Sequence, residues 1–344
     1  MSTVLLAISY ASSNAASARR TIREFGKYFR RNPHSRYEVL LGVEAPVDQR
    51  TELARFAHLF PTIYGWNDGT TARALSALRG RPQPFSSGFS YGGYVNRVMM
   101  LSRLAGCDYL LRVDPGTLPP VDLWSMIEAQ AAALQANRVV SGVYEDRLAF
   151  RDNLYTRRSL RDQYLTFIAQ ETGIALHRQI TGGALFMVAS PGIPAIPFQE
   201  WSPGNPTLVW GSDDGIFQDC VIKSHVFTEH KVPRHDPFGK AKSPVEYFRG
   251  VVGMVYLNRL RRNGAARTSV GSFIKALNEF LDSSLDENQG SRIPLEEGDV
   301  APARFLDSID SGYANYLRLL GVWNDVVDDV KRAMPADTLV LRKP

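Results

Sequence analysis

"YLLRVDPGTLPP" (residues 109–120) decides the fold. Five mostly apolar residues run straight into Asp114, and a Pro-Gly pair then turns the chain. A continuous apolar run of this length predicts a strand covered on both faces, the kind that parallel sheets use. An ionised carboxylate at its end cannot stay dry and unpaired, so Asp114 is expected to face a wet cleft, a cluster of donors or a cation. Asp-Pro-Gly also suits a plain turn after a strand, since Pro and Gly are ordinary turn residues.

Toward the N-terminus, "TVLLAIS" (3–9) and "YEVLLGVE" (37–44) are runs of the same type, and residues 15–31 between them carry Ile22, Phe25 and Phe29 on one helical stripe. The result is a βαβ opening. A helix over 48–59 and a short strand over 62–66 follow, then a stretch rich in turn formers. From Gly93 the spacing of Tyr94, Val98, Leu101 and Ala105 gives one face of a helix that leads into the strand before Asp114. Toward the C-terminus, Asp122 is placed to cap a helix over 123–137, which feeds a strand over 138–145. Residues 179–190 read as another strand, with glycines where something must approach the backbone closely. After Pro244 helices are expected over 245–262, 270–283 and 311–334, with a polar loop or linker over 282–302. The last helix is expected to pack through Tyr313, Tyr316, Leu317, Leu320, Trp323, Val327 and Val330.

Strands alternating with helices mean a parallel-type sheet, and such sheets bind ligands beyond the carboxyl ends of their strands. The 344 residues are 44% hydrophobic and 22% charged, which excludes wholesale disorder and a membrane protein, and no apolar run is long enough to span a bilayer. The opening residues lack the basic start of a signal peptide and read as a strand. Cys107 and Cys220 are too few for a disulfide framework and fit a reducing compartment, so a cytoplasmic location is expected. A net charge of +5 biases the surface toward anionic partners such as phosphates, nucleotides or nucleic acid, without choosing among them. The clusters at 19–20, 29–36 and 258–267 read as solvated helix faces.

Three features stand in order along the chain: Asp114, the acidic pair in "WGSDDGIF" (210–217) and "HKVPRHDPFGK" (230–240). With the layout "GGYVNRVMMLSRLAGCDYLLRVDPGTLPP", in which Gly92, Gly93 and Asn96 precede the strand, the chain resembles the GT-A-fold glycosyltransferases over roughly residues 3–240. The resemblance implies an α/β fold with a mostly parallel, Rossmann-like sheet flanked by helices. A catalytic domain over 1–240 would hold the nucleotide sugar in its first half (1–120) and the acceptor in its second (121–240), and residues 241–344 would form a helical C-terminal region. It implies a hexosyl-type transfer from a UDP- or GDP-sugar to a small-molecule or saccharide hydroxyl, by inversion. Asp213 takes the place of the family's base, with Asp214 beside it and Ser212 where a glutamate is usual. His235 is similar to the histidine that often completes the metal site.

The chemistry asks for these residue types. A departing sugar diphosphate carries negative charge and needs a divalent cation or positive side chains close by. Hard cations prefer oxygen ligands, and inverting transfer needs one carboxylate to take the acceptor's proton. One departure stands out: the family usually has a second aspartate two residues after the first, and here that residue is Gly116. Either Asp114 and His235 hold a Mg²⁺ or Mn²⁺, which is the expectation, or basic residues such as Arg112 and Lys240 neutralise the leaving group. The resemblance also points to Ser9, Tyr10, Ala11, Asn67 and Asp68 around the base, and to Gly182, Gly183 and Trp201 near the acceptor. Asp213-Asp214 also suits a helix cap, and His235 is one of six histidines.

Competing functions remain at this level. A nucleic-acid-directed enzyme or binder, with DNA as partner, is suggested by the Arg- and aromatic-rich residues 147–164. A catalytically inactive nucleotide binder is suggested by Gly116. A nucleotidyltransferase needs an early glycine-rich phosphate loop, and "SYASSNAASARR" (9–20) has no glycine.

Overall fold

The computed structural model describes residues 1–45, 49–87, 91–134, 139–144, 185–189, 225–232, 252–253, 256, 270–284, 298 and 301–342. Four buried runs make the parallel centre of the sheet: β1 (Ser2–Ser9), β2 (Tyr37–Glu44), β3 (Ile63–Trp66) and β4 (Tyr109–Val113). With β5 (Val139–Tyr144), β6 (Leu185–Ala189), β7 (His225–Val232) and β8 (Val340–Arg342) the order across the sheet is β7-β5-β6-β4-β1-β2-β3-β8. Strands β6 and β8 run antiparallel to their neighbours. The architecture is therefore the α/β class expected, a mostly parallel sheet flanked by helices.

Helices cover both faces. On one side α1 (Ala15–Arg31) and α5 (Leu123–Ala133) pack Ile22, Phe25, Phe29, Met126 and Ile127 onto Val4, Leu6, Leu41 and Leu111. On the other, α3 (Asp68–Ala77) and α4 (Tyr91–Leu104) share one apolar cluster with Leu5, Ala7, Leu40 and Leu110, and α7 (Ala303–Ala333) joins it by packing against α3 and α4. The alternation of side chains along each strand sends odd and even positions to opposite helical layers, which is why every inner strand reads as a continuous apolar run. A short α2 (Arg50–Leu53) with a following 3-10 turn, and α6 (Val270–Ser284), complete the described α-helices of four residues or more. No described helix is long and apolar enough to cross a membrane.

Several sequence expectations need correction. The turn-rich stretch after β3 contains α3, whose Asn67 side chain accepts a hydrogen bond from the Thr70 N–H at 2.9 Å and caps the helix. The helix expected over 48–59 is only α2 and its 3-10 extension. Asp122 occupies the N-cap position of α5 but its side chain makes no capping bond. Helix α7 starts earlier than expected and breaks its helical geometry at Val322. Its buried stripe is Tyr316, Leu319, Trp323, Val326, Val327 and Val330, whereas Leu317 and Leu320 lie exposed. The run "LRLLGVW" offers two apolar faces, and packing against α3 and α4 selects the one with Leu319.

The C-terminal region is not helical throughout. After α7 the chain forms β8 on the open edge of β3, with Tyr64 opposite Val340. Leu341 lies where a Cβ on Gly65 would sit, 2.6 Å from its ideal position, so only glycine lets the two strands approach.

Candidate active site

Strands β1, β2 and β3 step in one direction across the sheet, while β4 lies on the other flank of β1. The strand order reverses between β1 and β4, and in open α/β sheets the crevice beyond the carboxyl ends at such a reversal is where ligands bind. Ala7 of β1 is in register with Arg112 of β4, so Ser9 and Asp114 come level at the rim of that crevice. Residues Ser9, Glu44 and Trp66 are aligned in register on β1, β2 and β3. They share the α4 side of the sheet with Leu5, Leu40 and Leu110 two or more positions earlier on β1, β2 and β4, as the alternation requires.

The rim is polar, and α4 organises it. Arg112 is buried, 2% exposed, with its Nη2 2.6 Å from Asp114 Oδ1. Its guanidinium lies over the ring of Tyr94 of α4, 5.5 Å from the centroid, a cation–π arrangement that suits a desolvated arginine. Burial among these groups pushes the Tyr94 hydroxyl far above its ordinary range. Two strands over, on β2, Arg97 of α4 grips Glu44 Oε1 through Nη2 at 2.7 Å and Nε at 3.0 Å. Ser9 Oγ donates to Glu44 Oε2 at 3.4 Å. Burial raises the Glu44 pKa, against the downward pull of Arg97 and Ser9, and the nearby charge of Asp68 adds to the rise.

Asp114 opens a tight turn. The Thr117 N–H donates to the Asp114 carbonyl at 3.2 Å, Pro115 takes the second position and Gly116 the third with φ +95°. That is the pattern of a type II turn, which requires a left-handed residue at its third position. The Gly116 N–H donates to Thr21 Oγ of α1 at 3.0 Å. The glycine that replaces the expected second aspartate is thus demanded by the backbone.

The remaining predicted residues divide by place. Asn67 lies at the rim after β3, but its Oδ1 is engaged by Thr70, accepting from the hydroxyl at 3.1 Å as well as from the N–H. Asp68, the first residue of α3, is exposed beside it. Tyr10 turns into the core on the α1 side, 2% exposed, with its hydroxyl accepting from Arg19 Nη1 at 3.4 Å. Burial first, and Glu52 second, push its pKa up to about 12. Asn96 is buried and donates to the Pro84 carbonyl at 2.7 Å, fixing the segment that carries Phe85 against Trp66. Gly92 and Gly93 lie in the first turn of α4. The structure thus brings Ser9, Asp68, Arg112 and Asp114 to one rim, and places the side chains of Tyr10 and Asn96 in the interior. Asp213, Asp214, Lys240, His235, Gly182, Gly183 and Trp201 lie outside the described residues, as does the Arg- and aromatic-rich stretch 147–164.

Glu44, Arg97 and Tyr94 were not among the site residues read from the sequence. The signal for Glu44 was present: "YEVLLGVE" ends a buried strand on a carboxylate just as "YLLRVD" does.

A divalent cation gathers several oxygen ligands. The described rim offers it Asp114, already bound by a guanidinium, and Asp68 beyond β3, with a glycine where the second aspartate would stand. No group of three candidate ligands occurs among the described residues. They do not fit a cation by themselves. Arg112 in turn is too buried, and too committed to Asp114, to meet a diphosphate directly.

No protein-family model matches the chain, and no curated protein does. Solved structures similar to it include the mannosyl-3-phosphoglycerate synthase of Rubrobacter xylanophilus, at 14% identity and a TM-score of 0.44 over 86% of this chain and 79% of that one. A mannosyltransferase of Pyrobaculum calidifontis, PcManGT, in complex with GDP-Man and Mn²⁺, matches at 14% identity and 0.43, over 96% of this chain and 85% of the other. TarS 1-349 of S. aureus matches at 13% and 0.42, over 97% and 90%. At these scores and identities the likeness decides neither family nor function.

Proposed function

We propose that the chain transfers a sugar from a nucleotide diphosphate sugar, with UDP or GDP as the nucleotide, to a hydroxyl acceptor, with inversion. The observation that carries this reading is the polar rim at the reversal between β1 and β4, where Asp114 is held by Arg112 at 2.6 Å. A crevice of this kind takes a nucleotide, and the paired carboxylates at its strand ends supply hydrogen-bond acceptors for the donor's base and sugar.

Asp213, supported by Asp214, is the base: its carboxylate takes the acceptor's hydroxyl proton as the acceptor oxygen bonds to the anomeric carbon. The bond from that carbon to the phosphate oxygen breaks with its electron pair, and the nucleoside diphosphate leaves. Because Arg112 and Arg97 are each paired to a carboxylate, the described rim lends the leaving group no surplus positive charge. That charge falls to residues such as Lys240 and His235. Mg²⁺ or Mn²⁺ held by Asp114 and His235 is the competing reading, and it requires Arg112 to yield Asp114.

Thermal shift against UDP, GDP, CMP and dTDP identifies the nucleotide. Asp213→Asn is then expected to abolish transfer while leaving nucleotide binding intact; equal loss of both refutes the assignment of the base.

A further inference from the structure

The 17 residues of α1 hold six basic side chains, Arg19, Arg20, Arg23, Lys27, Arg30 and Arg31, against one acidic, Glu24. The surplus of five equals the net charge of the whole chain, +5, so every other residue together is formally neutral. A surplus equal to that of the whole chain is thus concentrated on one helix.

It also sits on one face of that helix. At 100° per residue, Arg20, Arg23, Lys27, Arg30 and Arg31 fall within about a third of the circumference, opposite the buried Ala18, Ile22, Phe25 and Phe29. Arg20, Arg23, Arg30 and Arg31 are exposed. The carboxylates beside the helix are engaged with other cations: Glu52 with Arg19 at 2.6 Å, Glu24 with Lys27 at 3.0 Å, and Glu128 with Arg36 and His34. None of the four exposed arginines has an ion pair among the described residues.

Helix stability does not explain the pattern. Arg30 and Arg31 suit the negative end of the helix dipole, but Arg19 and Arg20 lie near its positive end, where no acidic residue stands in the first turn. Repulsion along the ridge is a cost that a partner of opposite charge relieves.

We infer that the outer face of α1 is an electrostatic docking surface for a membrane rich in anionic phospholipid. The arginine ridge runs straight for about 16 Å and is convex, since the helix lies flat on the sheet. A convex row of point charges fits a planar array of phosphates. Its apolar side is fully spent on the core, so the attachment is by headgroups alone and does not insert. A single-stranded nucleic acid asks for exposed aromatic rings to stack its bases; on α1 Phe25 and Phe29 are buried, and Tyr28 packs against Phe29 at 5.8 Å.

Co-sedimentation of the full chain with vesicles tests this. Binding is expected to vesicles containing a third phosphatidylglycerol at low salt, and to be lost on pure phosphatidylcholine and at high salt. Each basic residue at such a surface strengthens attachment about fivefold. Arg23→Gln with Arg30→Gln is therefore expected to weaken it by about 25-fold, with an unchanged melting temperature. Absence of phosphatidylglycerol-dependent binding at low salt overturns the inference, and so does equal binding by the double variant. Tighter binding to a short duplex DNA than to the vesicles also overturns it, in favour of a nucleic-acid partner.

Discussion

Arg112 and Asp114 stand two positions apart on one strand and its turn, and their side chains meet at 2.6 Å on the α4 side of the sheet. The arginine is buried and the aspartate a quarter exposed, so the pair holds a carboxylate in fixed orientation at the rim of the crevice. Removing the aspartate takes this carboxylate from a buried guanidinium, a change that costs about 3 kcal/mol where the charge cannot reach water. Asp114→Ala is expected to lower unfolding free energy by that amount and to weaken nucleotide binding. Asp114→Asn, which keeps an acceptor for Arg112, is expected to lose less stability. Urea denaturation and nucleotide titration of the two variants check this.

Metal dependence follows from the same pair. With Arg112 on Asp114 and glycine at position 116, turnover is expected to persist in the dialysed enzyme with EDTA. Loss of activity in EDTA, restored by Mn²⁺, would establish the competing assignment of Asp114 and His235 as ligands.

Gly116 has a structural duty that a carboxylate cannot share. At φ +95° a side chain costs about 1–2 kcal/mol. Gly116→Asp, which recreates the usual second aspartate, is expected to lower the melting temperature and to give no gain in Mn²⁺ affinity. Calorimetry with and without the ion measures both.

The Glu44–Arg97 pair makes a prediction in pH. Burial already raises the Glu44 pKa above its unfolded value, so its contribution to stability is fully present below the ordinary carboxylate range and falls as pH rises through the folded value. Arg97→Met removes the group that opposes this rise. The variant is expected to lose little stability near pH 4 and about 3 kcal/mol near pH 8, relative to the parent. Denaturation at the two pH values reads the difference.

Much of this fold is legible in the sequence, for reasons that particular residues show. Strands β1, β2 and β4 are apolar on both faces, and their short, turn-bounded runs set them apart from a buried helix. Helix α3 hid because Asn67-Asp68-Gly69-Thr70 has the composition of a turn; only the capping bond and the burial of Ala74 reveal a helix. The register of α7 hid because Leu317, Leu319 and Leu320 satisfy two faces, and the helices α3 and α4 on which it lands choose between them. At the site, Asp114 was visible as a carboxylate closing an apolar run. Arg97 was not, because it meets Glu44 from 53 residues away, a pairing set by how α4 crosses the sheet. That crossing leaves no local pattern.

The seating of β8 on β3 carries a consequence for synthesis. Strand β3 leaves the ribosome early, and the segment that covers its outer margin is made only after nearly all of the intervening polypeptide. Throughout that interval the row of unsatisfied amides is available to any neighbouring nascent chain, and contacts so remote in sequence form slowly. Newly made molecules are accordingly expected to depend on chaperone shielding of this margin until Leu341 settles over Gly65.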